Sequence, residues 1–434
     1  MQLYTRKQFL RLGAAAGAGA LLGSRNSRFP GQGQNALPPG THAAQAPSAS
    51  QPSFELVRQE DPRWAELRNG YNKRILKTPQ VIALCSSTKD VAAAIAHARE
   101  NRLAVAIRSG GHSMEGFSLN DGGMVIHLGS MNGVELRGDQ TVKVGPGCTL
   151  AHLYDELLPK RRLVPAGSCG TVGIGGLTTG GGYGLFSRKY GLTCDHLLEA
   201  TVVDGQGVVR ATRDDPELLW AIRGGGAGNF AVVTEMIFRT HPSPPTMQAH
   251  HFKSRGLDAH RAAKILEAWF SFAQQLPVSC FSAFVLNGST LNVLVTNFEY
   301  HSDKIERLLT EFAAFTDQRR AGKPGDLAAS LRHYYGSLVP LYFKNASAGF
   351  YRDFSNIRDC IVEVLERCLQ APGMIYQVNT MGGNISNPDF EAVSCYPHRS
   401  YKFLSELQAY WRNPANEGQM TAAFREIQNL FWKN

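Results

Sequence analysis

Residues 165 to 197 read PAGSCGTVGIGGLTTGGGYGLFSRKYGLTCDHL, and no other stretch limits the fold so strongly. The 44 glycines of the chain are concentrated in 109 to 184 and 224 to 228 and are not spread as a low-complexity tract. A run of this kind exposes successive backbone N–H groups with no Cβ in the way, which suits close approach to a pyrophosphate and its two charges. A phosphate-bearing cofactor is therefore implied. The dinucleotide fingerprint of a Rossmann fold fits poorly. Gly173-Ile174-Gly175 is not expected to open a helix after the first strand, and no acidic residue stands at the right distance beyond it. The competing reading is a series of barrel corners or bulges.

A chain of 434 residues exceeds the roughly 250 to 300 at which single cores stop growing, so at least two domains are expected. From 54 to 242, PQVIALCSS, TKDVAAAIAHAREN and LAVAIRS give a β-α-β start with Thr88 as the helix N-cap. Short strands follow at GMVIHL, GVELRG and TVKVGPG, then a hairpin, LLEATVVDGQGVVRAT, turning at Asp204-Gly205. A helix, a glycine loop and a strand complete this module in DPELLWAIRGGGAGNFAVVTEMIFRTHP. From 243 to 411 the pattern is again α+β, with helices over an antiparallel sheet. AHRAAKILEAWFSFAQQL carries Ile265, Leu266, Trp269 and Phe272 at helical spacing, CFSAFVLNGSTLNVLVTNFEY turns at Asn287-Gly288, and SYKFLSELQAYW is a closing strand. Residues 412 to 434 are expected to be a divergent or truncated C-terminal segment.

The N-terminus, TRKQFLRLGAAAGAGALLGS, places Arg6, Lys7 and Arg11 ahead of a run too short and glycine-rich for a membrane span of about 20 apolar residues. It suits a signal peptide over 1 to 23, and TRKQFL resembles a twin-arginine signal with Lys7 where the second arginine normally stands. Residues 24 to 53 read as a flexible spacer. Export without stable membrane insertion is expected. The net charge of +9 comes from scattered basic residues, so no nucleic-acid partner is expected. The eight cysteines are too dispersed for a disulfide scaffold, and no Cys-x-x-Cys pair suggests zinc. Asn287, Asn345 and Asn384 lie in Asn-x-Ser sequons and read as surface asparagines.

RSGGHS, 108 to 113, places His112 after Gly110 and Gly111 in the loop that follows LAVAI. Taken alone, His112 reads as a turn histidine and Cys169 as a small apolar residue, and a metal would need further ligands that the spacing does not offer. Taken together, RSGGHSMEG, the glycine run and DPELLWAIRGGGAGNFAVVTEMIF resemble, in order, the three signature blocks of the berberine bridge enzyme-like flavoproteins of the vanillyl-alcohol-oxidase (PCMH-type) superfamily. The resemblance implies a PCMH-type FAD-binding domain of two α+β subdomains followed by a substrate domain. It also implies FAD bonded to His112 at its 8α-methyl and to Cys169 at C6. By motif position Arg108, Ser109, Gly110, Gly111 and Ser113, with Gly173, Gly176, Gly180, Gly181, Gly182 and Gly184, would hold the pyrophosphate and ring. Asn229 and Val233 would lie on the strand beside the adenosine half, and Arg188 is either a phosphate partner or a surface arginine. Val172 falls where the family carries a gatekeeper for oxygen, and a valine there resembles the oxygen-reactive members. The implied activity is hydride transfer from a small-molecule alcohol, carbohydrate or secondary metabolite to FAD and then to O2, giving H2O2. A dehydrogenase with another acceptor is the alternative.

MGGNISNPDFEAVSCYPHRSYKFLSELQAYW resembles the family's substrate-domain block. Period-2 geometry puts Leu404, Glu406 and Gln408 on one strand face. The resemblance places Glu406 over the flavin as a base of raised pKa; an exposed strand glutamate is the other reading. LYFKNASAGFYRDF resembles a segment bordering the cleft, making Tyr351 and Phe350 candidate catalytic or stacking residues, with core packing as the alternative. The family pattern also leads one to expect a Tyr-rich segment and a DPxNxFxxxQS-type tail after Trp411. The residues there are RNPANEGQMTAAFREIQNLFWKN, which leaves a low-turnover flavin-binding protein as a further expectation.

Overall fold

The computed structural model describes residues 54–433 except 139, 300 and 301, so the expected signal segment and spacer lie outside the described residues. The chain opens with β1 (Glu55–Val57), β2 (Val81–Leu84), α1 (Thr88–Glu100), β3 (Val105–Arg108) and β4 (Met124–His127), in a sheet ordered β1-β2-β4-β3. The N-cap of α1 is Ser87, not Thr88. Ser87 has extended backbone and its Oγ accepts from Asp90 N at 3.2 Å, while the Thr88 hydroxyl bonds Thr234 Oγ1 at 3.0 Å. Val91, Ala94, Ile95 and Ala98 form the buried stripe of α1, which packs with Val81, Met124 and Ile126 of the parallel strands.

A second subdomain follows: β5 (Val134–Arg137), β6 (Thr141–Val144), α2 (Leu150–Leu157), α3 (Ile174–Thr179), β7 (Leu197–Val203), β8 (Val209–Ala211), α4 (Pro216–Ile222) and β9 (Val232–Arg239). Its antiparallel sheet is ordered β5-β6-β9-β7-β8. Gly173 takes the extended N-cap conformation before α3, but α3 comes after α2 and not after the first strand, so the dinucleotide fingerprint is still not met. In the β7–β8 turn it is Gly207, at φ +82°, that carries the left-handed backbone, not Gly205.

The third unit comprises β10 (Thr246–Ser254), α5 (Ala259–Gln275), β11 (Cys280–Asn287), β12 (Thr290–Asn297), α6 (Asp303–Ala313), β13 (Gln318–Ala321), β14 (Tyr342–Tyr351), α7 (Ile361–Gln370), β15 (Met374–Thr380), β16 (Phe403–Trp411) and α8 (Glu417–Lys433). The strands form one antiparallel sheet, β13-β10-β12-β11-β15-β16-β14. One face carries α5, α6, α7 and α8, and its core includes Trp269, Phe284, Tyr376, Phe403, Leu407 and Phe424. From the other face Phe281, Ala283, Val285, Ile375 and Leu404 share a continuous core with Cys169, Ile174, Tyr183 and Leu185 of the glycine run. Period-2 alternation thus sorts each strand between a helix-facing and a loop-facing side. The loop-facing side positions the site.

Candidate active site

Two glycine loops, 108–113 and 169–182, meet backbone to backbone. A Cβ on Gly110 would stand 2.3 Å from Gly173 N, and one on Gly173 would stand 2.4 Å from Gly110 N. These two positions lack side chains because the loops touch each other. Gly111 has φ +70°, a conformation that favours glycine, and a side chain there would press on the Arg108 guanidinium. Ser109 Oγ donates to Pro146 O at 2.5 Å, fixing the loop from below.

This contact brings His112 beside Cys169. The imidazole stacks on Tyr71 at 4.0 Å between ring centroids and 19° between planes, and its Nε2 lies 2.9 Å from Thr171 Oγ1. The same Oγ1 lies 3.9 Å from Cys169 Sγ, so one hydroxyl touches both side chains. Burial and the Arg108 charge push His112 down to about 3, which keeps the ring neutral near pH 7. Burial raises the Cys169 thiol, while the Thr171 hydrogen bond pulls the other way. Sequence reasoning missed both Thr171 and Tyr71, which carry no motif of their own.

The remaining glycines divide in two. Side chains on Gly181, Gly182 and Gly184 would collide with Tyr396, Thr193 and the Ala166 carbonyl respectively, so these three serve close protein packing. Gly176 and Gly180 are exposed, with open space or only their own helix nearby, and they line the outer side of the loops.

On the loop-facing side, the sheet presents a polar strip. Cross-strand partners share a face, and Glu406 pairs with Ser347 of β14 and Gln377 of β15, as Gln408 pairs with Asn345. Gln408 Nε2 donates to Glu406 Oε2 at 3.0 Å and to Gln377 Oε1 at 3.2 Å, and Gln377 Nε2 donates to Asn379 Oδ1 at 2.8 Å. Glu406 Oε1, Gln408 Oε1, Asn379 Nδ2 and Asn345 Oδ1 are buried and have no protein partner. Four such atoms on one small area are costly unless a ligand meets them. Burial raises the Glu406 carboxyl to about 8, opposed by the Gln408 hydrogen bond, so it is mostly protonated at pH 7. Glu406 is fully buried, which excludes the exposed-glutamate reading.

The model for an FAD binding domain matches residues 79–213. The uncharacterized FAD-linked oxidoreductase YvdP of Bacillus subtilis (strain 168) is 36% identical over 400 residues, covering 88% of this chain and 87% of that protein. The chain belongs to the FAD-linked oxidoreductases. Among solved structures with the same fold are Physcomitrella patens BBE-like 1 (22% identity, TM-score 0.78, 88% of this chain and 87% of that one) and a glucooligosaccharide oxidase from Acremonium strictum with 6-S-cysteinyl, 8α-N1-histidyl FAD (22%, 0.77, 87% and 85%). Chitooligosaccharide oxidase of Gibberella zeae is 39% identical over 186 residues, or 42% of this chain and 38% of that protein. The chain spans about half or less of the first curated relatives that it matches, 43%, 50% and 38% of their lengths.

FAD suits this oxidoreductase's site. Gly176 and Gly180 leave backbone open on the outer side of the loops, Arg108 Nε is buried without a partner, and the four unpaired polar atoms lie on the sheet face that packs toward Cys169. Several expected site residues stand elsewhere. Tyr351 lies on the helix-facing side, buried near Phe270, with its hydroxyl donating to Ala348 O at 2.6 Å. The cause is a β-bulge between Ser347 and Gly349, with Gly349 at φ +128°. Without it Ser347, Gly349 and Tyr351 would share the loop-facing side; with it Phe350 takes that side, stacked on His398 at 4.3 Å. Arg188 is neither a phosphate partner nor a surface residue. It is buried and donates to the carbonyls of Leu276, Pro277, Cys280 and Met381 at 2.6–3.2 Å, clamping the glycine run to the third unit. Asn229 sits in the exposed loop ahead of β9, its Nδ2 donating to Gly225 O, whereas Val233 is within β9 and packs into the core. Ser113 Oγ accepts from Phe117 N at 2.9 Å and caps a turn. Val172 lies in the loop before α3, and Asn345, expected at the surface, is buried in the site.

Proposed function

We propose that this FAD-linked oxidoreductase is an oxidase carrying FAD bonded to both His112 and Cys169. It removes hydride from a carbon bearing a hydroxyl or amine on a small molecule and passes the electrons to O2, giving H2O2. The observation that carries this reading is the juxtaposition of His112 and Cys169 at one hydroxyl, across from a buried glutamic acid with an unpaired oxygen. Bound FAD supplies a two-electron acceptor; the residues supply placement and proton handling. His112 and Cys169 fix the ring edge, and the linkage named for the glucooligosaccharide oxidase supports this assignment. In its carboxylate form, Glu406 accepts the donor's hydroxyl or amine proton at Oε1, while Gln408 holds Oε2. Asn345, Gln408 and Asn379 orient the donor's other polar groups through their unpaired atoms. Val172, beside Cys169, would set oxygen access, and the oxidase relatives support O2 as acceptor. The basic-then-apolar N-terminus supports export of the mature protein.

The test is anaerobic mixing with alcohols, sugars and amines, followed by admission of air. The proposal expects at least one donor to bleach absorbance near 450 nm and air to restore it with release of H2O2. Bleaching that air does not reverse but a quinone does would make the protein a dehydrogenase; no bleaching by any donor class would defeat the reading. Val172→Leu should slow reoxidation without slowing reduction.

A further inference from the structure

Thr171 Oγ1 is within hydrogen-bonding reach of both His112 Nε2, at 2.9 Å, and Cys169 Sγ, at 3.9 Å. A threonine hydroxyl has one proton to give and two lone pairs that accept, and of the arrangements this allows, the two in which it links the side chains in series differ most in their chemistry. If the thiol donates to Oγ1 and the hydroxyl donates to Nε2, the neutral imidazole carries its proton on Nδ1. Both potential nucleophiles are then blocked. If Nε2–H donates to Oγ1, the hydroxyl proton is free to point at sulfur, Nδ1 keeps its lone pair, and the thiolate gains a donor. Only the second arrangement leaves both groups reactive.

We propose that Thr171 is the positioning residue for covalent attachment of the flavin: its hydroxyl accepts from His112 Nε2–H and donates to Cys169 Sγ, leaving Nδ1 and sulfur as the attacking atoms. This rests on the two-anchor reading given above. Tyr71, stacked on the imidazole at 19°, holds the ring plane in which that hydrogen bond is made. With the ring neutral, the tautomer decides which nitrogen can attack, and Thr171 is the group that engages Nε2. The Thr171 contact is also among those that favour the Cys169 thiolate against its burial.

Each attachment balances. For His112, one imidazole N–H and one 8α C–H bond break and the N–C bond forms; two electrons enter the flavin and two protons pass to it or to solvent. For Cys169, an S–H and the C6–H bond break and the S–C6 bond forms, with the same electron and proton count. Dioxygen then takes up two electrons and two protons per attachment as hydrogen peroxide.

The experiment compares wild type, Thr171→Val and Thr171→Ser as full chains from riboflavin-depleted cells. FAD is added in air, and flavin mass on the tryptic peptides containing His112 and Cys169 is followed with time. Thr171→Val is expected to slow both attachments by about tenfold or more, the rate equivalent of losing a hydrogen bond to a charged group, and Thr171→Ser to restore them. Side-chain ¹⁵N spectra of His112 before FAD addition should show the Nε2–H tautomer in wild type and a mixture in Thr171→Val, a difference that mere packing would not produce. Wild-type rates at both residues in Thr171→Val, slowing at one residue alone, or an Nδ1–H tautomer in wild type would each overturn the proposal. If wild type itself forms no adduct, the two-anchor reading fails first and takes this one with it, whereas adducts that ignore Thr171 refute only this one.

Discussion

At the scale of single residues, Glu406 carries the most specific consequence. Its carboxyl is raised to about 8 by burial, against the pull of the Gln408 hydrogen bond, and its charge in turn raises the phenols of Tyr183 in the glycine run and Tyr410 in β16. The base form is the carboxylate, so the rate of flavin reduction should climb as pH rises through about 8. One unit below that value roughly a tenth of the sites are ionised, so stopped-flow reduction should speed up about tenfold between pH 7 and pH 9. Glu406→Gln should lower that rate by about 10² to 10⁴ and flatten the profile, with flavin content unchanged. The face of Glu406 is readable in the sequence because β16 alternates cleanly. The displacement of Tyr351 is not, because a bulge is one inserted residue, Ala348 before Gly349, with no signature in the apolar pattern of β14. Thr171 was equally hidden: an isolated threonine acquires a role only when folding puts two distant side chains against its hydroxyl.

Among elements, the helices and most strands follow from periodicity, since α5 buries Ile265, Leu266, Trp269 and Phe272 as their spacing demands. The last helix, α8, is where family resemblance and local physics part. Its sequence has none of the expected tail motif, yet Met420, Phe424 and Ile427 fall on one side and bury against the sheet core. Phe424→Ala should therefore cost about 3 to 5 kcal/mol in denaturant unfolding, whereas an unpacked helix would show almost no loss. In the paired loops, Gly110→Ala inserts a Cβ 2.3 Å from Gly173 N and should abolish flavin loading while the helix-faced sheet still folds. Loss of flavin is read from absorbance and retention of the sheet from far-UV circular dichroism.

For the whole molecule, the interface between the FAD binding domain and the third unit is held by buried charge. Arg188 binds four carbonyls across it, and Arg399 of the PHR tripeptide pairs with Asp195 at 2.5 Å. The sequence shows the residue types but not that their partners lie across a domain boundary. Burial also sets the response to acid. His196 is pushed down to about 3, and His127 and His241 to about 4, so all three fold neutral. A depressed folded pKa gives stability that is present above about 6.5 and lost as pH falls. Between pH 7 and 5 that amounts to about 2 kcal/mol for each histidine. Glu406, with a raised folded pKa, works in the opposite sense and returns about 2.5 kcal/mol over the same interval. The histidines win, so the melting temperature should drop by several degrees from pH 7 to pH 5, as scanning calorimetry can measure. An unchanged or higher melting temperature at pH 5 would mean that these rings are not buried neutral.

The claim on which the rest depends is that two side chains, distant in order and neighbours in space, are fastened to one flavin. Acid precipitation followed by mass spectrometry of tryptic peptides addresses it directly. The account predicts a yellow pellet and one flavin adduct joining the peptides that contain His112 and Cys169. A colourless pellet, with all flavin in the supernatant and both peptides at their unmodified mass, would contradict it.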